Sequence, residues 1–143
     1  MRGVHSAVDD IRRNVFTEVA RLAYGGEDYN QVDMIPYKLI PGEVADLRGD
    51  LTDSALKVPH MGWNSLQILK DDPLFRHVRD GEYVYYVHSF YARDCAAGTL
   101  AASRYGNVDV TGVVRRGNVY GTQFHPEKSG DTGLRLLRAF AEL

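Results

Sequence analysis

The sequence predicts an α/β fold in which an antiparallel meander of strands is flanked by helices. Two segments, residues 8–22 and 131–143, carry apolar residues at helical spacing. Between them lie aromatic and β-branched runs separated by short turn sequences, a pattern typical of strands. At 143 residues the chain is long enough for one domain with a hydrophobic core and too short for two.

The first helix is predicted to begin at a capping box, residues 6–9, and to end at Gly25-Gly26. Its apolar face consists of Val8, Ile11, Val15, Val19 and Leu22. Residues 27–36 are predicted to form a loop, and short strand-like runs begin at residue 37. We therefore expect two parts: an N-terminal helical segment, residues 1–36, and a C-terminal part, residues 37–143.

The C-terminal part contains the predicted meander. A helical turn at residues 72–78 leads into a strand at Glu82–Tyr91, and three further strands follow at Thr99–Tyr105, Val108–Arg115 and Asn118–Phe124. Tight turns are predicted at Gly106-Asn107 and Arg116-Gly117. The closing helix, residues 131–143, is predicted to face the core with Leu134, Leu137 and Phe140.

Composition narrows the function classes. Hydrophobic residues at 44% and charged residues at 25% are typical of a soluble globular protein. A net charge of -2 does not favour binding to nucleic acid or to an anionic membrane, and no run of residues resembles a signal peptide or a membrane span. The single cysteine indicates a reducing compartment, so we expect the protein in the cytoplasm. The five histidines lack zinc-ligand spacing, and we assign no metal and no cofactor.

The pair His125 and Glu127, separated by Pro126, is the strongest chemical signal. Extended backbone directs residues i and i+2 to the same side, and proline pushes the residue before it toward extended geometry. A carboxylate on one ring nitrogen would fix the tautomer of His125 and leave the other nitrogen free to act as a base. The pair therefore predicts two thirds of a catalytic triad.

The nucleophile is the part that the sequence does not supply in recognisable form. Cys95 is the single cysteine, and neither a Gly-x-Cys-x-Gly nor a Gly-x-Ser-x-Gly elbow occurs. Asp94 beside it would raise the pKa of a thiol. We interpret Cys95 as a loop cysteine without a chemical role; the alternative is that it moves into reach of His125.

Four blocks, in this order and spacing, resemble class I glutamine amidotransferases: residues 39–42 (LIPG), 57–64 (KVPHMGWN), 85–91 (YYVHSFY) and 121–130 (GTQFHPEKSG) with GLRLL at 133–137. The likeness is greatest to the glutaminase subunit of imidazole glycerol phosphate synthase, in histidine biosynthesis. The resemblance implies a flavodoxin-like fold and hydrolysis of glutamine to supply ammonia to a (β/α)8 cyclase subunit.

The same resemblance implies roles for individual residues. His125 would be the general base and Glu127 the carboxylate that orients it, while His88, Ser89 and Phe90 would line the glutamine pocket. The implied cyclase interface consists of Pro59, His60, Trp63, Asn64, Tyr85 and Lys128. Alternatives remain open: Trp63 as a core aromatic, His60 and His88 as hydrogen-bonded structural histidines, and Tyr85 as an ordinary strand residue.

In the family, the N-terminal half carries the first strands and the nucleophile elbow, and residues 1–36 do not resemble it. We therefore expect the chain to correspond to the C-terminal half alone, to be inactive alone, and to expose an apolar face that favours a homodimer or lowers stability. Three interpretations follow: one half of a split glutaminase, a non-catalytic module that binds a cyclase, or a gene product without a role.

Overall fold

The computed structural model describes residues 40–143. The predicted N-terminal helix, the loop at 27–36 and the boundary between 36 and 37 lie outside the described residues. The described elements, in chain order, are β1 (Glu43–Asp46), α1 (Leu47–Asp50), β2 (His60–Ser65), β3 (Gln67–Ile68), a 3₁₀ turn (Pro73–Phe75), β4 (Tyr83–His88), β5 (Phe90–Arg93), β6 (Thr99–Tyr105), β7 (Val108–Arg116), β8 (Val119–Thr122), a second 3₁₀ turn (Pro126–Lys128) and α2 (Gly130–Ala141).

Three strands of the predicted meander, β6, β7 and β8, are present, and with β3, which was not predicted, they form a four-stranded antiparallel sheet in the order β3-β6-β7-β8. The second predicted turn lies one residue later than expected, at Gly117-Asn118. Gly106 and Gly117 occupy the first turn position of the β6–β7 and β7–β8 hairpins, with φ of 60° and 61°. A glycine in this position satisfies the positive φ of a type II′ turn. β8 forms one edge of the described sheet.

The strand predicted at Glu82–Tyr91 is in fact two strands. β4 pairs with β2 and β5 pairs with β1, in two separate antiparallel ribbons. The break falls at Ser89, whose carbonyl accepts a hydrogen bond from the Leu47 N–H at 2.9 Å instead of a ladder bond. A period-2 pattern continues across such a change of partner, because both strands are half-buried.

The core lies between the four-stranded sheet, the β2–β4 ribbon and the two helices. Among its most deeply buried side chains are Leu47, Leu66, Val84, Tyr86, Val110, Val113 and Phe124. Tyr86 and Phe124 pack edge to face with ring centroids 5.8 Å apart, and the Tyr86 hydroxyl lies 2.7 Å from that of Ser103. The strand that leads to His125 is therefore anchored through a buried aromatic residue.

The predicted inward face of the closing helix is wrong. Leu134, Leu137 and Phe140 are exposed, whereas Thr132, Gly133, Leu136 and Ala139 of α2 are buried. The close approach of Gly133 to the carbonyl of Pro126 fixes the rotation of the helix, since a Cβ on Gly133 would lie 1.8 Å from that oxygen. Tight backbone packing decides which side of α2 faces inward, and Leu134, Leu137 and Phe140 remain on the outer side.

Candidate active site

The side chains of His125 and Glu127 meet, as the sequence predicts, although the local backbone differs from the prediction. The Nδ1 of His125 lies 2.9 Å from the Oε1 of Glu127. His125 is extended, with φ -94° and ψ 103°, but Pro126–Lys128 form a 3₁₀ turn. The carboxylate therefore reaches the ring by a turn of the chain and not along an extended strand.

This contact defines the chemistry that His125 can perform. A carboxylate oxygen only accepts, so Nδ1 carries the proton and donates it to Glu127. In the neutral ring Nε2 then has a lone pair, and it has no hydrogen-bond partner among residues 40–143. His125 is only 3% exposed, whereas the Glu127 side chain is 58% exposed. The arrangement suits a base whose orientation is fixed by a carboxylate.

Tyr85 and Ser129 hold the backbone of His125 in place. The His125 N–H donates to the Tyr85 carbonyl at 3.0 Å. The hydroxyl of Ser129, which is 1% exposed, donates to the His125 carbonyl at 2.6 Å and accepts the N–H of Tyr85 at 2.9 Å. Each polar group of this buried bridge has a partner, so the bridge fixes the base relative to β4.

Two residues that support the position of His125 and Glu127, Ser129 and Gly133, were not predicted from the sequence to have this role. Ser129 is an ordinary residue after a motif, and nothing in the sequence shows that its hydroxyl reaches β4. Gly133 carries a usable signal, because a glycine inside a helical pattern costs about 1 kcal/mol relative to alanine and indicates a packing reason. That reason is the contact of α2 with the turn that holds Glu127.

The residues of the predicted glutamine pocket lie where β4 ends and β5 begins. His88 is the last residue of β4 and is 5% exposed, Ser89 is the break, and Phe90 begins β5 with an exposed ring. The Nδ1 of His88 donates to the Phe90 carbonyl at 2.8 Å. Burial lowers the pKa of His88 to about 4; the hydrogen bond to the Phe90 carbonyl opposes this shift and the charge of nearby His125 adds to it. His88 is therefore neutral near pH 7.

The predicted interface residues divide between the two faces of the β2–β4 ribbon. Trp63 and Tyr85 are direct cross-strand partners on the outer face, with ring centroids 5.9 Å apart. Trp63 is 56% exposed, so the alternative of a core aromatic is wrong. Pro59 and Lys128 are also exposed, at positions that precede β2 and α2 respectively.

His60 and Asn64 lie on the inner face of the same ribbon. His60 is 3% exposed and its ring is stacked between Tyr86 and Tyr105, at centroid distances of 4.7 and 4.1 Å. Its side chain therefore does not present itself to a partner at the surface, and the alternative of a hydrogen-bonded structural histidine describes its surroundings. Asn64 is half-buried and donates to the Arg104 carbonyl at 2.8 Å.

Cys95 occupies a different environment from His125. Its thiol is buried and lies 3.5 Å from the hydroxyls of both Thr99 and Thr111, at the β6–β7 side of the molecule. In a nucleophile elbow the nucleophile itself takes the strained backbone. Here the positive φ of 55° belongs to Asp94. The surroundings of Cys95 match those of a structural cysteine.

Residues 40–143 contain no group of three or more histidine, cysteine or acidic side chains placed to hold a metal ion. Within the same part of the chain, the helices are too short and too polar to cross a membrane.

The fold agrees with the comparisons to known proteins. The family model for class-I glutamine amidotransferases matches residues 18–142, and the chain belongs to that family. The match begins inside the segment that we predicted to be unlike it, residues 1–36.

Within the family, the chain is similar to HisH, a subunit of imidazole glycerol phosphate synthase. It is 54% identical over 91 residues to HisH of Methanosarcina acetivorans, which covers 63% of this chain and 45% of the relative. It is 50% identical over 105 residues to HisH of Listeria monocytogenes serotype 4b, which covers 73% and 48%. The chain thus spans about half the length of the curated relatives it matches.

A solved structure has the same fold at low sequence identity. It is that of a candidate GMP synthase subunit from Thermoplasma acidophilum, with a TM-score of 0.53 and 18% identity, covering 71% of this chain and 47% of the other. This similarity supports the predicted α/β amidotransferase fold.

Proposed function

We propose that this chain supplies the base and its orienting carboxylate to a glutaminase site of the HisH type. The observation that carries the proposal is the His125–Glu127 contact of 2.9 Å, with Nε2 of His125 left without a partner among residues 40–143. In this proposal Nε2 takes the proton of a cysteine thiol, the thiolate attacks the side-chain amide carbon of glutamine, and the imidazolium returns the proton to the departing ammonia.

We propose further that the nucleophile comes from outside these 143 residues. Cys95 lies against two threonines and has an aspartate next to it in sequence, so it is not placed to react with His125. Without a nucleophile the chain alone should not hydrolyse glutamine, because removing one member of such a unit removes nearly the whole rate enhancement. A Gly-x-Cys-x-Gly segment, on the same polypeptide or on another, would complete the site.

An exposed edge and groove support this division of the site. β8, which leads to His125, is an edge strand of the described sheet, and beside it runs an apolar groove. The groove is lined by Leu74, Tyr120, Leu136, Leu137 and Phe140. Apolar surface of this kind favours association. We propose that the nucleophile-bearing segment covers it, and that without this segment two copies pair there; a monodisperse monomer with a high melting temperature would contradict this.

The outer face of the β2–β4 ribbon is the proposed surface for a (β/α)8 cyclase. The exposed side chains on this face are Met61, Trp63 and Tyr83, beside half-buried Tyr85. Lys128, which is also exposed, lies just before α2 in the sequence. Exposed aromatic side chains on one face are typical of interaction surfaces. The partner, the substrate glutamine, a role in histidine biosynthesis and a cytoplasmic location are parts of this proposal, supported by the similarity to HisH.

Complementation tests the enzymatic proposal. The chain is mixed with a fragment bearing the Gly-x-Cys-x-Gly elbow, and glutamate release from glutamine is measured. We expect activity in the mixture, none in either part, and none with His125→Ala. The matched control is His77→Ala, which removes a partly exposed histidine far from the pair in sequence. Stoichiometric labelling of Cys95 by a glutamine-analogue alkylator, lost in His125→Ala, would instead make Cys95 the nucleophile.

A second candidate is a non-catalytic module that binds the cyclase. The pair of exposed Trp63 and half-buried Tyr85 favours it, because this pair does not depend on the nucleophile. Binding of the purified chain to a cyclase subunit, with no glutaminase activity after complementation, would support this candidate. If the chain does not bind the cyclase either with or without the complementing fragment, both the glutaminase proposal of the HisH type and the non-catalytic module would be contradicted.

A further inference from the structure

A directed chain of hydrogen bonds runs through the interior from β2 to β5. The Nδ2 of Asn64 lies 3.3 Å from Nε2 of His60, the Nδ1 of His60 lies 2.8 Å from Nε2 of His88, and the Nδ1 of His88 lies 2.8 Å from the Phe90 carbonyl. Asn64 also donates to the Arg104 carbonyl. We refer to Asn64, His60, His88 and the Phe90 carbonyl as the histidine chain.

The two carbonyl ends fix the direction of every bond. A carbonyl oxygen only accepts, so Arg104 assigns the Nδ2 atom of Asn64 as a donor, and His60 must accept at Nε2. At the other end, the Phe90 carbonyl requires Nδ1–H on His88, so His88 accepts at Nε2. His60 then carries its proton on Nδ1 and donates it to the Nε2 of His88. The assignments made from the two ends of the chain therefore agree at this hydrogen bond.

Both rings are neutral in this arrangement. A proton added to His60 would direct Nε2–H at the donor of Asn64, and one added to His88 would direct it at the Nδ1–H of His60. Burial, with the neighbouring histidine as the next cause, lowers the pKa of His60 to about 4, and burial lowers that of His88 to the same value. Near pH 7 the histidine chain is therefore a set of directional hydrogen bonds between neutral rings, and neither ring gains or loses a proton.

The position of the histidine chain suggests what those contacts do. Its far end is the Phe90 carbonyl, one residue beyond the break at Ser89 where β4 gives way to β5. Its near end is Asn64, the neighbour in sequence of the exposed Trp63 on β2. A buried ring with both nitrogens bonded and both faces stacked has one stable position.

We propose that His60 is a positioning residue of the glutamine pocket: it holds His88, and through His88 the main chain at Ser89–Phe90, in the geometry that binds substrate. This inference rests on the proposed function, because it assumes that the segment 88–90 contacts glutamine. His60 itself does not touch substrate. It acts on binding through His88, so its loss should raise KM more than it lowers kcat.

The first test needs no activity. Nitrogen-15 NMR of the full chain at pH 7 distinguishes a protonated from an unprotonated ring nitrogen. We expect His60 and His88 both as the neutral Nδ1–H tautomer, and we expect the His88 signals to shift in His60→Leu, which removes the donor. An Nε2–H tautomer or an imidazolium at either residue would overturn the directed chain and with it the proposal.

The second test is kinetic and uses the complemented site. His60→Leu should raise KM for glutamine about tenfold, the equivalent of about one hydrogen bond, and change kcat less than about twofold. His60→Asn should restore KM, because its amide nitrogen can occupy the place of Nδ1 and donate to His88. Tyr105→Phe is the matched control: it keeps the stacked ring on His60 and loses only the hydroxyl bond to the Lys57 carbonyl.

The outcomes distinguish the positioning role from the proposed function. An active parent whose KM is unchanged in His60→Leu, or raised equally in His60→Asn and His60→Leu, overturns the positioning role alone. If kcat in His60→Leu falls only in proportion to the folded fraction, which thermal unfolding measures, His60 has a purely structural role. That result would also overturn the positioning role. A complemented parent with no glutaminase activity overturns the proposed function, and this role with it.

Discussion

Two histidine sites lie close together in this molecule and differ in how their nitrogens are used. At His125 one nitrogen meets a carboxylate and the other has no partner among residues 40–143. At His60 both nitrogens are hydrogen-bonded to neutral groups. All three histidines, with His88, are at most 5% exposed, so burial does not distinguish them.

The comparison shows that the identity of the partners decides the role of a buried histidine. A carboxylate stabilises the imidazolium that a base must become, so His125 can accept a proton. His60 and His88 have no carboxylate partner, and burial, with the charge of a neighbouring histidine as a lesser cause, lowers the pKa of each to about 4. Changing the partners or the packing of one site should therefore show whether the other site responds.

The largest effect is expected from Glu127→Gln in the complemented glutaminase. The amide keeps the size of the side chain but no longer stabilises the imidazolium, so kcat should fall about 10³-fold while KM changes little. Steady-state kinetics measures both, and Asp109→Asn, an exposed aspartate paired with Arg104, is the control. A variant that turns over as fast as the parent would show that the contact between Glu127 and His125 has no catalytic role.

The next effect concerns the packing behind that contact. Gly133→Ala places a Cβ 1.8 Å from the Pro126 carbonyl and 2.9 Å from the Cβ of Ser129, so helix and turn must move apart. We expect the free energy of unfolding to fall by about 3 kcal/mol, the upper part of the range for overpacking. Urea unfolding measures it. Gly49→Ala, whose new Cβ meets nothing within 4 Å, should leave stability unchanged or slightly raised.

The sequence predicted the strands β6 to β8 and the first turn between them, and the second turn to within one residue, because local signals specify them: Gly106 and Gly117 stand where positive φ is needed. It also predicted the contact of His125 with Glu127, although by extended backbone, whereas the contact is made through the 3₁₀ turn at Pro126–Lys128. It did not predict the face of α2, because apolar spacing fits two adjacent rotations of the helix and the choice depends on Gly133 touching Pro126.

The inner position of His60 and Asn64 was missed for a related reason. Alternation along β2 directs residues 60, 62 and 64 to one side of the ribbon and residues 61, 63 and 65 to the other. The alternation alone does not show which of the two sides is buried. The resemblance implied one interface block for Pro59, His60, Trp63 and Asn64. The structure separates them: Pro59 and Trp63 are exposed, Asn64 is half-buried on the inner face, and His60 is buried.

Acid should weaken the fold through the His60–His88 site. In the folded state both pKa values are about 4, below the usual 6.5, so between these pH values the unfolded chain binds more protons and stability falls as pH falls. Since one pKa unit corresponds to about 1.4 kcal/mol, each histidine contributes a loss of up to about 3 kcal/mol from pH 6.5 to 4.

Urea unfolding at a series of pH values measures this loss. His60→Asn should flatten the slope between pH 6.5 and 4.5, while His77→Gln, which keeps both buried histidines, should not. The paired carboxyl of Glu82, whose pKa Arg135 lowers to about 2, acts in a separate window below pH 4.5. Equal stability at pH 7 and pH 5 would contradict the neutral state that we assign to the two rings.

A smaller effect is expected where the two sites share β4. Ser129→Ala leaves the Tyr85 N–H and the His125 carbonyl without the hydroxyl that joins them, which should cost about 2 kcal/mol of stability. Thermal unfolding measures it, with Ser65→Ala as the control because the Ser65 hydroxyl donates to an exposed carbonyl. Equal shifts in the two variants would show that the bridge behind His125 adds nothing beyond an ordinary serine hydrogen bond.

The smallest effect on stability is expected on the outer face of the same ribbon. Trp63→Ala removes an exposed ring that contacts Tyr85 and lies near Gly130, so the free energy of unfolding should change by less than about 0.5 kcal/mol. If that face binds a cyclase, the same change should weaken binding by about 2 kcal/mol, as at the central aromatic residues of interfaces. Calorimetric titration with the cyclase subunit measures the affinity, and Phe140→Ala is the control, because its ring is about as exposed but lies on α2. A loss of stability in Trp63→Ala without a loss of affinity would assign Trp63 to the fold, whereas a loss of affinity at unchanged stability separates the outer face of β2 from the histidine chain beneath it.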